Sequence, residues 1–452
     1  DLLHNIMRVI GNRVLAVALA LVLSVAVRAD NAHPGSNVPE FGVAELAVDG
    51  QRVVEELMKL SSFSDDSFPA VTRIVFTPTD IGARDYVKSL CTEAGLVIRE
   101  DGMGNIFARW VGSRPELGAI GTGSHMDAIP LAGMYDGTVG IVGGLEAIRY
   151  LQRSGFKPER SIELLIFTSE EPTRFKYGAI GSRVLSGAMA VERLLQVNDS
   201  DGILFEEARK VAGFEGDLNK VPLSKDYYYA FVELHIEQGP ILEEENIDIG
   251  VVTSIAAPAT LRVFFEGKGG HAGALLMKDR HDAFLAAAEL ALGLERAVLR
   301  TEANDLVGTT GFVRVLPNAV NSVPRRVDLE MDIRDVERIR RDVIIKSVID
   351  LSDEIANRRG VYTDFTIINA DDPSTSDPEV LEAINAAVEK VKISKMELVS
   401  RAYHDTLFMS QITRTGMIFI PCKGGYSHRP DEFSSEEQIR KGVQVLALTL
   451  AK

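Results

Sequence analysis

Four stretches of this chain end an apolar run in side chains of the kind that hold metal ions. "AIGTGSHMD" delivers His125 and Asp127, and "LLIFTSEE" delivers Glu170 and Glu171. "AFVELHIEQG" delivers His235 and Gln238, and "MIFIPCKGGYSH" leads to His428. Asp136 follows the first run, inside the glycine-rich "GTGSHMDAIPLAGMYDGTVG". Charged groups leaving water cost several kcal/mol unless a salt bridge or a metal ion compensates them. Imidazole and carboxylate without thiolate suit Zn, Mn, Co or Fe. Three histidines with two or three carboxylates are more than one catalytic zinc usually takes. A shared carboxylate lets two ions sit roughly 3.5–4 Å apart, and Asp136 is the natural bridge. Taken singly, each signal has a plainer reading: a structural histidine, a solvated pair of glutamates, a simple turn. Their joint placement at the ends of apolar runs favours a metal site.

The elements that must position these residues alternate. "GQRVVEELMKLSSF" and "IGARDYVKSLCTEAG" have helical spacing, the second ending on glycine as helices often do. "LVIRED", "NIFARWVG" and "ELGAIGTGSH" read as strands, and "SIELLIFTSEE" as a strongly buried one. "DGTVGIVGGLEAIRYLQRSG" is a helix with Asp136 placed to cap it. Strands alternating with helices indicate an α/β domain built on a mostly parallel sheet. In such sheets, ligands bind outside the carboxyl ends of the strands, so the four runs can converge on one crevice. The middle of the chain differs. "PATLRVFFEGKGGHAG", "NDLVGTTGFVRVLPNAVNSVP", "RRVDLEMDIRD" and "VYTDFTIIN" read as strands, accompanied by two long helical patterns. This predicts an α+β unit over 254–367, inserted into a discontinuous domain formed by 50–253 and 368–452.

The chain has 452 residues, enough for two or three domains. Its net charge of −16 argues against nucleic-acid partners, which need a basic face, and against adhesion to anionic membranes. Two cysteines, Cys91 and Cys422, make neither a disulfide framework nor a thiolate zinc site. Near the start, basic "MRVIGNR" precedes the apolar "VLAVALALVLSVAV" and then "RADNAHPG", the layout of a secretory signal peptide cleaved after Ala29. An uncleaved anchor is the alternative, although the run is short for a membrane span. Residues 30–49 are expected to be a flexible linker. Asn198-Asp199-Ser200 is a glycosylation acceptor pattern, usable only on the secretory route.

The motifs "GSHMDAIPLAGMYDG", "FTSEEPTRF", "HIEQGP", "GKGGHAG", "NAVNSVP", "DIRD" and "YSH" together resemble the dinuclear-metal amidohydrolases of the M20 peptidase family, in its carbamoyl-cleaving branch. The resemblance covers nearly everything from Gly50 to Lys452. It implies an α/β metallohydrolase domain with an inserted lid and dimerisation domain. It assigns one ion to His125, Asp136 and His235, and a second to Asp136, Glu171 and His428, most often manganese, with zinc equally acceptable to these residues. Asp127 orients His125 through its second ring nitrogen, and Glu170 shuttles the proton. His271 of the partner subunit in a homodimer stabilises the oxyanion, assisted by Asn321. Arg334 clamps the substrate carboxylate, although pairing with Asp332 or Asp335 is the plainer reading. Gln238, His404 and Tyr426 line the pocket. The expected substrate is a ureido-carboxylate. Tyr426 favours ureidoglycolate, hydrolysed to glyoxylate, ammonia and carbon dioxide, because allantoate-acting members are expected to carry isoleucine there. Allantoate and N-carbamoyl-L-amino acids are the alternatives. Relatives acting on ureides suggest the lumen of the endoplasmic reticulum.

Overall fold

The computed structural model describes residues 47–175 and 177–452. The expected signal peptide and most of the expected linker lie outside the described residues. The linker's last residues are described: Val48 is buried, and the Asp49 side chain caps the first helix. The principal elements begin with α1 (Gly50–Ser61), α2 (Pro78–Glu93), β1 (Val97–Glu100), β2 (Ile106–Trp110), β3 (Ala119–His125), α3 (Thr138–Arg153), β4 (Ile162–Phe167), α4 (Ile180–Ser186), β5 (Tyr228–Ile236) and β6 (Ile249–Ile255). A middle section follows with β7 (Ala257–Glu266), α5 (Ala283–Leu299), β8 (Val307–Leu316), β9 (Arg326–Asp335), α6 (Arg338–Arg359) and β10 (Tyr362–Ala370). The chain closes with β11 (Ser374–Thr375), α7 (Pro378–Val391), β12 (Lys395–Ser400), α8 (Asp405–Met409), β13 (Arg414–Ile420) and α9 (Glu436–Leu450).

β4 is buried at every position, which needs a layer on each face of its sheet. Ile162, Leu164 and Ile166 pack with Ile141, Leu145 and Ile148 of α3. Leu165 and Phe167 point the other way, to Phe107 and Phe231. The nine-stranded sheet runs β11-β6-β13-β5-β3-β4-β2-β1, with β12 also paired to β6. Only its central strands β13, β5, β3 and β4 run parallel to their neighbours in an unbroken block. β6 joins β13, and β2 joins β4 and β1, antiparallel. The sheet is therefore mixed rather than mostly parallel; a short hairpin joins β1 to β2, a connection that only antiparallel strands allow.

The section from β7 to β10 forms its own four-stranded antiparallel sheet, in the order β8-β9-β7-β10. Alternation in β9 sets its two faces. Val327, Leu329, Met331 and Ile333 pack on Ala286 and Leu290 of α5 and on Ile344 and Val348 of α6. Asp328, Glu330, Asp332 and Arg334 are thereby turned to the opposite face. The cap expected of Asp136 is not made: Gly137, at φ 66°, holds the N-cap position of α3, and no side chain bonds there. No helix among the described residues is long and apolar enough to cross a membrane.

Candidate active site

The four adjacent parallel strands carry their carboxyl ends to one edge, and each contributes. His125 is the last residue of β3 and pairs in register with Phe167, the last of β4, three residues before Glu170. His235 on β5 pairs with Phe419 on β13, whose following loop reaches His428. The strand order alone thus lays His428, His235, His125 and the Glu170–Glu171 pair side by side.

Asp136 stands at the centre and divides its two oxygens. Oδ1 lies 3.2 Å from Nε2 of His235 and 3.6 Å from Nε2 of His125. Oδ2 lies 3.0 Å from Nε2 of His428, which is 3.3 Å from Oε1 of Glu171. Two sets of three ligand atoms result, His125–Asp136–His235 and Asp136–Glu171–His428, each set within 4.8 Å of itself. These are the two ligand sets expected from the sequence resemblance. Glu233, His235 and His404 also lie together, yet Glu233 already accepts from the hydroxyls of Ser124 at 2.7 Å and Thr406 at 2.6 Å. Nε2 of His404 faces the Ser400 hydroxyl at 2.9 Å.

Electrostatics fit the donor set. Asp127, Asp136, Glu170 and Glu171 are all buried, and no lysine or arginine is ion-paired with them among the described residues. Burial pushes the Glu170 carboxyl well above the usual range, with Glu171 and Asp405 adding to the effect and His125 opposing it. Burial likewise raises Asp127 to about 6. Burial disfavours the charged form of His125, but its bond to Asp136 and the nearby Glu170 outweigh this and hold its pKa well above that of a free imidazole. Bonds to Asp136 and Glu171 raise His428 to about 11. Imidazoles are thus drawn into cationic form by a surplus of carboxylate. Divalent ions held by the same two triads would answer that surplus directly.

A cleft of about 430 Å³ opens over these residues, lined by His125, Asp136, Glu170, Glu171, Gln238, Arg334 and His428. Gln238 reaches Asp136 Oδ2 through its amide N–H at 3.0 Å. Arg334 faces the cleft from β9, but its guanidinium is engaged: Nε donates to Asp332 at 2.7 Å and an Nη to the Arg401 carbonyl at 3.1 Å. Other expected residues stand elsewhere. The Asp127 carboxylate stands 3.8 Å from Nδ1 of His125, beyond hydrogen-bond distance. It accepts the backbone N–H groups of Glu170 at 3.1 Å and Glu171 at 2.9 Å, while the Asp127 carbonyl meets the His125 ring at 3.0 Å. His404 is buried beneath His235, with ring centroids 4.6 Å apart, and does not line the cleft. Tyr426 does not line it either: it is 41% exposed, with its ring under the Arg429 guanidinium. His271 ends a two-residue strand, Gly270–His271, paired with Ser322–Val323, and Asn321 is the turn residue just before that partner. The Ala272 N–H donates to the Asn321 carbonyl at 2.9 Å, but both His271 and Asn321 are exposed and away from the cleft.

Residues not singled out in the sequence complete the walls. Tyr403, Arg183 and Asn369 line the cleft. Arg183 forks onto the Asp371 carboxylate with two 2.7 Å bonds and also donates to the Tyr403 hydroxyl. Tyr403 directly precedes the predicted His404, a neighbour that sequence proximity could have flagged. Asp371 and Arg183 are 188 positions apart and carried no such signal.

A mixed sheet with two candidate ligand triads sharing Asp136 at its strand ends has the donor set of a metal-dependent hydrolase. Residues 121–452 match the profile of Peptidase family M20/M25/M40, and the chain belongs to that family. A ureidoglycolate hydrolase of Arabidopsis thaliana is 51% identical over 431 residues, covering 93% of this chain and 90% of its own. A ureidoglycolate hydrolase of Oryza sativa subsp. japonica is 50% identical over 416 residues, covering 91% and 86%. The crystal structure of AtUAH in complex with glyoxylate superposes with a TM-score of 0.83, at 51% identity, covering 90% of this chain and 98% of that one.

Proposed function

We propose that the protein hydrolyses the ureido group of ureidoglycolate, in the breakdown of purine-derived ureides. The observation that carries the reading is the sharing of Asp136 between two triads beside a buried Glu170, in a chain half identical to ureidoglycolate hydrolases. Water adds to the ureido carbonyl and the terminal C–N bond breaks, releasing ammonia. The remaining carbamate loses carbon dioxide to leave hydroxyglycine, which collapses to glyoxylate and a second ammonia.

The triads His125–Asp136–His235 and Asp136–Glu171–His428 would hold two divalent ions, manganese by family resemblance, with zinc fitting the same donors. Bound there, such ions supply Lewis-acid polarisation of the carbonyl and a lowered water pKa. Glu170 takes a proton from the attacking water and returns it to the leaving nitrogen, its burial and neighbouring carboxylates favouring uptake of that proton. Asp127 holds the backbone of Glu170 and Glu171 and so aims both side chains. Arg334 offers a two-pronged guanidinium to the substrate carboxylate, which competes with Asp332 for it. With Tyr426 outside the cleft, Tyr177 and Tyr403 are the phenols on its lining able to meet the substrate hydroxyl, Tyr403 being already held by Asp371 and Arg183.

The β7–β10 section is read as a lid and dimer interface. Phe284, Leu292 and Leu299 of α5 and Phe312 and Val313 of edge strand β8 are exposed apolar groups that a second copy would cover. Within a homodimer, His271 and Asn321, exposed and off their own cleft, would serve the partner's site. The basic-then-apolar segment near the start of the sequence supports a secretory-route reading, and the resemblance to ureide-acting relatives supports the lumen of the endoplasmic reticulum within it. Colorimetric release of glyoxylate from ureidoglycolate, abolished by a chelator and restored by manganese, tests the reading. No glyoxylate at any metal loading contradicts it.

A further inference from the structure

One buried carboxylate beside the triads belongs to neither. Glu432 is 4% exposed and sits against the loop that carries Asp136. Its Oε1 accepts the backbone N–H groups of Tyr135 at 2.8 Å and Asp136 at 3.0 Å. Its Oε2 accepts the Ser427 hydroxyl at 2.9 Å. The loop lies directly on it, since a Cβ added to Gly133 would stand 2.3 Å from the Glu432 Cβ. Ser427 adjoins His428, lies 3.2 Å from Asp136 Oδ2 and accepts the Gln238 amide N–H at 3.1 Å. A hydroxyl has one proton. Donated to Glu432, that proton does not compete for Asp136 Oδ2, which then carries only the Gln238 amide N–H beside His428.

The two triads depend on this carboxylate unequally. His125 and His235 are oriented through their other ring nitrogens by the carbonyls of Asp127 at 3.0 Å and Ile236 at 2.8 Å. No backbone carbonyl orients the His428 ring among the described residues. His428 is half exposed and stands at φ 59°, a left-handed conformation that needs outside support in a non-glycine residue. Its support comes from its neighbours: Ser427 is tied to Glu432, and the Glu432 N–H closes a turn on the Arg429 carbonyl at 3.2 Å.

We infer that Glu432 is a positioning residue that fixes the bridging Asp136 and the His428 segment to each other, and that it governs retention of the ion at Asp136–Glu171–His428. This rests on the reading that both triads hold ions. The test is manganese binding by the full chain, with bound metal per chain and dissociation constants measured by titration calorimetry and elemental analysis. The unmodified protein is expected to bind two ions. Glu432→Ala is expected to keep one at native affinity and to weaken the other about tenfold or more. Glu432→Gln is expected to restore the second ion only in part, because its carbonyl oxygen still accepts both amides while its NH2, donating to Ser427, turns the Ser427 proton to Asp136 Oδ2. If Glu432→Ala does not fold, Ser427→Ala decides, with the same selective weakening expected. Two ions at native affinity in the alanine variant, or equal weakening of both, overturns the inference. An unmodified protein that binds no manganese contradicts the dinuclear reading instead.

Discussion

The ring of His125 meets the backbone carbonyl of Asp127 at 3.0 Å, while the Asp127 carboxylate turns from that ring to the amides of Glu170 and Glu171. Ligand and base are therefore positioned by different atoms of one residue. Asp127→Asn keeps the carbonyl and presents an NH2 to one of the two amides it should accept from. The expected result is a roughly 10–100-fold fall in kcat with both ions retained. Loss of metal in this variant would show that the carboxylate orients His125 after all.

Glu170 belongs to neither triad, its carboxylate standing 3.9 Å from Nε2 of His125, and has the strongest claim to proton transfer. Glu170→Gln keeps its volume and removes its basicity. Turnover is expected to fall by roughly 10²–10⁴ or more, with manganese content and substrate-analogue affinity unchanged. Equal loss of binding and turnover would move Glu170 from chemistry to structure.

Arg334 is held between Asp332 and the Arg401 carbonyl, ready-oriented at the cleft wall. Lysine cannot reproduce its two-pronged geometry. Arg334→Lys is expected to raise KM for ureidoglycolate about tenfold, and Arg334→Ala about a hundredfold, as for loss of a charged hydrogen bond worth about 1.5–3 kcal/mol. An unchanged KM in both variants would leave Arg334 as a partner of Asp332 only.

The cysteines give a prediction about pH. Both are buried, and burial pushes each thiol up to about 12. A raised thiol pKa keeps the proton on until pH climbs through that value, so at about pH 8 neither forms the reactive thiolate. Ellman's reagent is expected to label neither Cys91 nor Cys422 in the folded protein and both after denaturation. Rapid labelling of the native chain would contradict the packing around them.

What was legible in the sequence was local. An apolar run that stops at His125, or at Glu170 and Glu171, announces a buried strand end wherever it lies in the sheet. The antiparallel flanks were not legible, because strand order depends on partners far along the chain. Asp136 reads as a helix cap from its position, but three imidazoles claim its carboxylate, leaving the N-cap to Gly137. Tyr426 sits in the right motif, yet Gly424 and Gly425, both left-handed, turn the chain so that its ring lies under Arg429. Glu432 and Asp371 look like surface acids in the sequence. Only folding shows the first beneath Asp136 and the second gripped by Arg183.

The most direct test of the central claim is a side-by-side kcat/KM for ureidoglycolate, allantoate and an N-carbamoyl-L-amino acid on the manganese-loaded protein, following ammonia and glyoxylate together. The account predicts ureidoglycolate as the preferred substrate, with two ammonia released per glyoxylate. Preference for allantoate or the carbamoyl amino acid would contradict the assigned substrate while leaving the two triads and Glu170 in their roles.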